Sequence, residues 1–272
     1  MHFLTTFFHL KILHFIRKMS GGPVLRNSKW KKGHESKNKT PRANHFFAVQ
    51  ISDCQIVEAV HNVHRTILEQ EPELSSALVS PSTLHITLAV AHLSSPEDLV
   101  RANQVLEETV RVFSTSRPQT QQLDLHLAQV GHFNNKVIYA SVKEESEGTE
   151  HLIHLSKSLR ERCQTAGLTL IDGDRFTPHV TLLKLSKDPS LNRKGIKAVA
   201  SHLYEKHVDC VFGRQVVESV QLLSMTDPKD EKGYFAVKGE FHFGTAAAAA
   251  ADEIRTAARL DQRRCSTTKL PC

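Results

Sequence analysis

Two short segments of the chain carry residue types that could do chemistry, because each reads histidine, apolar residue, threonine inside an apolar run. The first contains His85 and Thr87, and the second contains His179 and Thr181. The β-branched and apolar neighbours favour a strand in both segments, and alternate side chains of a strand point to the same face. Two facing strands would therefore offer two imidazoles for proton transfer and two hydroxyls for hydrogen bonds to a phosphate. These groups suit cleavage of a phosphodiester without a metal.

A third triplet of this kind, His64-Arg65-Thr66, shows that the pattern also arises by chance. It lies in a segment with helical periodicity, where residues two apart do not share a face. The structural alternative for the other two triplets is a pair of edge strands with partly buried, hydrogen-bonded histidines. Because the triplet recurs in two strand contexts, we favour the functional interpretation.

Charge is distributed unevenly along the 272 residues, although the composition is ordinary for a globular protein. Residues 1–43 contain ten Lys or Arg and one Glu, so the other residues carry a small negative net charge. We predict a disordered basic N-terminal tail that makes weak, salt-dependent contacts with RNA or acidic surfaces. The five cysteines include no Cys-x-x-Cys pair, which indicates free thiols in a reducing compartment, and we expect a cytoplasmic or nuclear location.

The order of predicted elements indicates an α+β domain over residues 44–244. It runs strand, helix, motif strand, helix, two strands, helix, motif strand and final strands, which suggests two lobes that each contribute one motif. Within it, a helix over 150–166 ends at Gly167, and strands over 216–225 and 233–243 form a closing hairpin. Residues 245–272 are predicted to be an Ala-rich helical or disordered tail. The apolar segment 1–16 is too short to span a bilayer, so no membrane span is expected.

The paired motifs, with Phe176-Thr-Pro178 leading into the second, resemble the 2H phosphoesterase superfamily, which includes RNA ligase-like proteins and cyclic phosphodiesterases. Three segments are similar to the central domain of A-kinase anchoring protein seven and to a domain of the leukocyte receptor cluster member nine protein: residues 44–49, 84–88 and 176–187. The resemblance covers about residues 44–243. It implies a bilobal α+β fold in which two antiparallel sheets with flanking helices surround a central cleft.

The resemblance also implies roles for individual residues. His85 and His179 match the two catalytic histidines of the superfamily, and Thr87 and Thr181 match its two hydroxyl residues. Three further residues fall in segments near the nucleotide in the family: Phe133, Phe176 and Lys184. For each phenylalanine, the alternative is a core aromatic residue. No acidic cluster with the spacing of magnesium ligands accompanies the histidines, so neither a metal nor a cofactor is expected.

Three functional hypotheses follow. The first is a phosphodiesterase that acts on 2′,5′-linked oligonucleotides or cyclic nucleotide phosphates through two-histidine acid–base catalysis. The second is a module that binds a nucleotide such as AMP without turnover, with a link to protein kinase A anchoring, and the third is an interaction protein that docks through its tails. Ile254 and Leu260 are the only large aliphatic residues over 246–264, too few for an anchoring helix. The regulatory subunit of protein kinase A is therefore not an expected partner.

Overall fold

The structure, a computed structural model, describes residues 41–116, 122–173 and 175–244. Its α-helices within these ranges are α1 (Cys54–Gln70), α2 (Pro96–Thr115), α3 (Glu147–Thr165) and α4 (Pro189–Arg193). Its strands there are β1 (His45–Gln50), β2 (His85–His92), β3 (Leu123–Phe133), β4 (Val137–Val142), β5 (Thr169–Leu170), β6 (His179–Lys184), β7 (Val211–Val217), β8 (Ser219–Ser224) and β9 (Val237–His242). No helix in this part of the chain is long and apolar enough to cross a membrane.

The strands form two antiparallel sheets. The five-stranded sheet has the order β5-β2-β1-β8-β9, and the four-stranded sheet has the order β6-β4-β3-β7. The predicted α+β class with two antiparallel sheets and flanking helices is therefore confirmed. The two motif strands, β2 and β6, lie in different sheets, so each sheet supplies one histidine and one threonine.

The sheets are joined close to the motif strands by the segment that precedes β2. Leu78 forms an isolated antiparallel bridge with Leu183 of β6, and the Val79 amide donates to the Leu182 carbonyl over 2.8 Å. One short segment is thus hydrogen-bonded to β6 and leads directly into β2, which brings the two motifs to the same region of the domain.

The helices are capped by the side chains that the sequence offers at their N-termini. Asp53 caps α1, Ser95 caps α2 and Ser146 caps α3, and each side-chain oxygen accepts from a backbone amide of the first turn. Helix α1 packs on the four-stranded sheet at β7, α2 packs on the five-stranded sheet, and α3 contacts both sheets, at β3 and at β2 and β5. The buried faces of these helices and sheets merge into one large hydrophobic core, which fixes the strands that carry the motifs.

Two predicted elements differ from the structure. The strand predicted over 216–225 is in fact two strands in different sheets, since β7 ends at Val217 and β8 begins at Ser219. The apolar pattern runs on through this crossing, so periodicity alone does not reveal it. Helix α3 begins three residues before the predicted start, because Ser146 provides the cap. The predicted tails lie outside the described residues, except for 41–43, which have no regular secondary structure.

Candidate active site

His85 begins strand β2 and is held by its own backbone. Its Nδ1 lies 2.7 Å from the carbonyl oxygen of Thr83, two residues earlier. The burial pattern of β2 alternates as predicted at this end, with His85 and Thr87 half-buried and Ile86 and Leu88 buried in the core. The imidazole and the hydroxyl therefore share one face of the five-stranded sheet.

His179 begins strand β6 in the same way. Its Nδ1 lies 2.7 Å from the carbonyl oxygen of Thr177, again two residues earlier. His179 and Thr181 are half-buried, while Val180 and Leu182 are buried in the core. Each sheet thus presents the same local arrangement of imidazole, hydroxyl and anchoring carbonyl.

These two carbonyl contacts determine which ring nitrogen is available for chemistry. A carbonyl oxygen only accepts hydrogen bonds, so Nδ1 of each neutral ring must carry the proton. The lone pair then lies on Nε2 of both His85 and His179. Each Nε2 can accept a proton from a substrate, and after protonation it can donate one.

The threonine hydroxyls beside these rings have unused hydrogen-bonding capacity. Within the described residues, the side chains of Thr87 and Thr181 make no hydrogen bond to protein, although both are half-buried. A partly buried hydroxyl without a protein partner can donate to a bound anion at little cost. The two hydroxyls are therefore suited to bind phosphate oxygens.

Burial is the main influence on the acidity of both histidines. The pKa of His85 is lowered to about 4, mainly by burial; the hydrogen bond with the Thr83 carbonyl opposes this, and the positive charges of His179 and Lys184 contribute to it. Burial also lowers the pKa of His179, and so does the charge of Lys184. Strands β2 and β6 contact each other, so the two histidines belong to one region of the domain. Because both pKa values lie below 6.5, both rings are neutral at pH 7 without a ligand.

Each histidine is flanked by two aromatic rings from its own sheet or an adjoining loop. Beside His85, the ring of Phe46 lies at 4.9 Å and the ring of Phe235 at 5.5 Å, between centroids. Beside His179, the rings of Phe133 and Tyr139 lie at 5.0 and 5.2 Å. Aromatic rings next to a phosphate site are suitable surfaces for stacking nucleobases.

The three weaker predictions have different outcomes. Phe133 lies beside His179 at the tip of the β3–β4 hairpin, whose turn is made by Asn134 and Asn135 with positive φ angles, and the residue is 37% exposed. Lys184 is exposed at the end of β6 and acts electrostatically on both histidines. Phe176 is half-buried and packs against the main core, which agrees with the alternative interpretation of this residue as a core aromatic.

Sequence analysis missed a second group of site residues on the β8–β9 loop (residues 225–236). This loop places the ring of Phe235 beside His85, and Lys229 Nζ lies 5.2 Å from the centre of the Phe235 ring. The sequence signal, a basic and aromatic segment between two strands, was visible but indicated only a turn. Among the described residues, no three His, Cys, Asp or Glu side chains are grouped as metal ligands would be.

The two motif strands, which contact each other, each present an imidazole and a hydroxyl on one face. A family model described as the AKAP7 2′5′ RNA ligase-like domain matches residues 43–243, which is most of the chain. The chain belongs to this family. The resemblance to the 2H phosphoesterases and to A-kinase anchoring protein seven is thereby confirmed.

A curated relative and two solved structures are also similar to the chain. Human A-kinase anchor protein 7 isoform gamma is 27% identical over 213 residues, a region that covers 78% of this chain and 61% of the relative. The chain therefore spans less than two thirds of that relative. TT0787 of Thermus thermophilus has a TM-score of 0.48 and 19% identity, over 74% of this chain and 97% of its own. Escherichia coli LigT complexed with 3′-AMP has a TM-score of 0.47 and 17% identity, with the same coverage.

Proposed function

We propose that this protein is a metal-independent phosphodiesterase that acts on 2′,5′-linked oligonucleotides or cyclic nucleotide phosphates. One observation carries the proposal. His85 and His179 are both fixed through Nδ1 by a carbonyl two residues earlier, and each is followed on the same face by a threonine hydroxyl. The family description, which names a 2′5′ RNA ligase-like domain, supports the 2′,5′ linkage.

In a 2′,5′-linked RNA the free 3′-hydroxyl lies next to the phosphate and can attack it. One histidine accepts the 3′-hydroxyl proton at Nε2 as the new P–O bond forms. The other, protonated at Nε2, donates to the 5′-oxygen as the P–O5′ bond breaks. The products are a 2′,3′-cyclic phosphate and a 5′-hydroxyl. Hydrolysis of a cyclic phosphate uses the same groups with water as the attacking nucleophile.

Charge in the cleft explains how one neutral ring becomes the acid. The lowered pKa values leave both His85 and His179 neutral in the free protein at pH 7. A phosphodiester anion next to the rings favours the imidazolium form and raises these pKa values on binding. Thr87 and Thr181 then donate to the non-bridging oxygens, where negative charge builds in the transition state. Lys184 contributes a further positive charge at the cleft.

The second candidate function is nucleotide binding without turnover. The same lowered pKa values favour it, because a site whose two rings stay neutral binds a phosphate but lacks an acid. The aromatic rings of Phe133 and Phe235 would stack on bases in either case. Product formation separates the two functions.

The test is incubation of the full chain with 2′,5′-linked diadenylate, 3′,5′-linked diadenylate and 2′,3′-cyclic AMP in the presence of EDTA. We expect cleavage of the 2′,5′ linkage to a 2′,3′-cyclic phosphate product, or opening of the cyclic phosphate, identified by mass spectrometry. Binding of AMP by calorimetry without any cleavage would select the binding module instead. Turnover that appears only after a divalent ion is added would contradict the two-histidine mechanism.

A further inference from the structure

Each motif strand contains a β-bulge directly after its threonine. In β2, two consecutive residues of β1 pair with residues that are two apart, so Leu88 is the extra residue. In β6, the pairing with β4 shows the same irregularity, and Leu182 is the extra residue. The bulges thus follow Thr87 and Thr181 at the same position in both motifs. A β-bulge kinks the strand and re-aims the side chains around it.

The bulges change which residues face the cleft. Leu88 and Ala89 are both buried, and so are Leu182 and Leu183, although neighbouring residues of a regular strand lie on opposite faces. An extra residue moves the rest of the strand to the other face. Lys184 therefore lies on the same face of β6 as His179, and its charge contributes to lowering the pKa of both histidines.

Helix α1 supplies a side chain that holds the bulge of β6. The Leu182 carbonyl accepts from the Val79 amide over 2.8 Å and contacts His64 Nε2 at 2.9 Å. Since a carbonyl only accepts, Nε2 of His64 is the donor. His64 is buried and belongs to the His-x-Thr triplet that the proposed function leaves unused.

Helix α3 holds the bulge of β2 in the same way. The Leu88 carbonyl accepts from Ser156 Oγ over 2.9 Å and from Arg160 Nε over 3.0 Å. The Arg160 guanidinium also donates to the Gly173 carbonyl over 3.1 Å and pairs with Asp172. Both bulge carbonyls thus receive two donors, and in each motif at least one comes from a buried side chain of a helix behind the sheet.

We propose that His64 and Arg160 are positioning residues that fix Thr181 and Thr87, respectively, by holding the bulge carbonyl that follows each threonine. The inference rests on the proposed function, since it assigns the two hydroxyls to phosphate binding. A bulge carbonyl that loses one of its two donors is held by the remaining one alone, so the bulge relaxes and the adjacent threonine moves. His64 therefore acts on one half of the site and Arg160 on the other.

A substrate-free measurement tests this division. In the full chain with ¹³C-labelled threonine methyl groups, His64→Leu should shift the Thr181 methyl resonance and leave that of Thr87 in place. Arg160→Lys should do the opposite. Thr66→Val is the matched control, because Thr66 is a buried residue of α1 whose hydroxyl contacts His207 and not β6. Equal shifts of both methyl groups, or shifts of neither, would overturn the proposal.

A kinetic cycle tests the consequence for turnover. A displacement of a group in the site by about 1 Å lowers the rate about 100-fold. His64→Leu should move Thr181 by less than this, so we expect kcat to fall about tenfold with little change in KM. In a Thr181→Ala background the same substitution should cause no further loss, whereas in a Thr87→Ala background the full loss should remain. His64→Gln, which keeps an N–H donor, should restore part of the rate. Equal losses in both backgrounds would show a general structural role.

A second variant and an independent readout keep failure to fold, failure of the proposed function and failure of this inference distinguishable. If His64→Leu does not fold, Ser156→Ala removes one donor from the Leu88 carbonyl with little change in volume and should shift the Thr87 methyl alone. A wild-type chain that cleaves no phosphodiester overturns the proposed function, while the methyl shifts still decide whether the helices position the threonines.

Discussion

At the scale of residues, the backbone carbonyls of Thr83 and Thr177 determine which nitrogen of each imidazole is available to a substrate. By accepting a hydrogen bond from Nδ1 of each imidazole, they leave Nε2 of His85 and His179 to exchange protons with a substrate. The surrounding burial lowers both pKa values below 6.5, so the electric charge of the site changes at acidic pH. Activity should therefore depend on pH in a defined direction.

We expect kcat/KM to be bell-shaped, with its maximum between about pH 4 and pH 6.5. One histidine must be neutral and the other charged, and kcat/KM reports the pKa values of the free protein. Activity falls below about pH 4, the pKa of His85, because both rings are then protonated. It falls as the pH rises through the lowered pKa of the other ring, because both are then neutral. A rate profile with EDTA over pH 3.5–9 measures this, and a maximum above pH 7.5 would contradict it.

Phe133 and Phe176 should respond differently to substitution by alanine. Phe133 is exposed beside His179, and a stacked base contributes about 1–3 kcal/mol, so Phe133→Ala should raise KM about tenfold with little change in stability. Phe176 packs against the core, so Phe176→Ala should lower the melting temperature instead. Michaelis kinetics and thermal unfolding of both variants test this contrast. The same stability loss in both would argue against a base at Phe133.

The sequence alone predicted the two histidine–threonine pairs, but it did not predict all of the residues around them. The alternation of His85 and Thr87 against Ile86 is visible in a strand pattern. Lys184 was placed near the nucleotide only by family resemblance, since an unbroken strand puts it on the opposite face from His179. The bulge that reverses this depends on buried donors from a distant helix, which no local pattern shows.

At the scale of elements, the β8–β9 loop (residues 225–236) completes the side of the cleft that holds His85. Asp230 accepts from the Tyr234 amide over 2.7 Å, and the buried Tyr234 hydroxyl donates to Gln221 of β8 over 2.8 Å. The first bond closes the loop on itself, and the second connects it to the sheet at the residue before Phe235. The conformation of this loop should therefore affect how a nucleotide binds.

Tyr234→Phe should loosen the loop and weaken substrate binding. The substitution leaves the Gln221 side-chain oxygen without its donor, which costs about 1–3 kcal/mol of stability. Because the loop carries Phe235 and Lys229, KM should rise while kcat changes little. Denaturant unfolding and Michaelis kinetics measure both effects. Thr109→Val, a substitution at a buried residue of α2, is the control and should alter stability alone. An unchanged KM for Tyr234→Phe would show that the loop does not contribute to substrate binding.

Local signals predicted most helices and strands, since caps and turns act over a few residues. Ser95 was a candidate cap for α2, and Gly167, which follows α3, has the positive φ expected of a helix end. The division of 216–225 into two strands was missed. Glu218 lies between strands of different sheets, and the choice of sheet depends on tertiary packing rather than on local pattern.

At the scale of the whole molecule, the buried histidines of the two sheets make the folded protein less stable in acid. The folded protein keeps His85 neutral down to about pH 4, whereas the unfolded chain protonates it near pH 6.5. Between these values the unfolded state binds more protons, so the free energy of unfolding decreases as the pH falls. Burial of His64 and His179 lowers their pKa values and adds to the effect.

We expect the chain to be about 2 kcal/mol less stable at pH 5 than at pH 7 from His85 alone. Urea unfolding at the two pH values measures the difference. His85→Gln has no group that titrates there, so its stability should depend less on pH than that of the wild type. The same pH dependence in both proteins would show that His85 is not the buried group responsible.

The most direct test of the central claim is turnover of 2′,5′-linked diadenylate by His85→Ala and His179→Ala in the full chain with EDTA. Each substitution removes one of two proton-transfer groups, so each should lower kcat by about 10²–10⁴-fold while the folded state persists. His92→Ala, at the other end of the same strand as His85, is the matched control and should retain activity. Full activity in either site variant, on folded protein, would contradict the account.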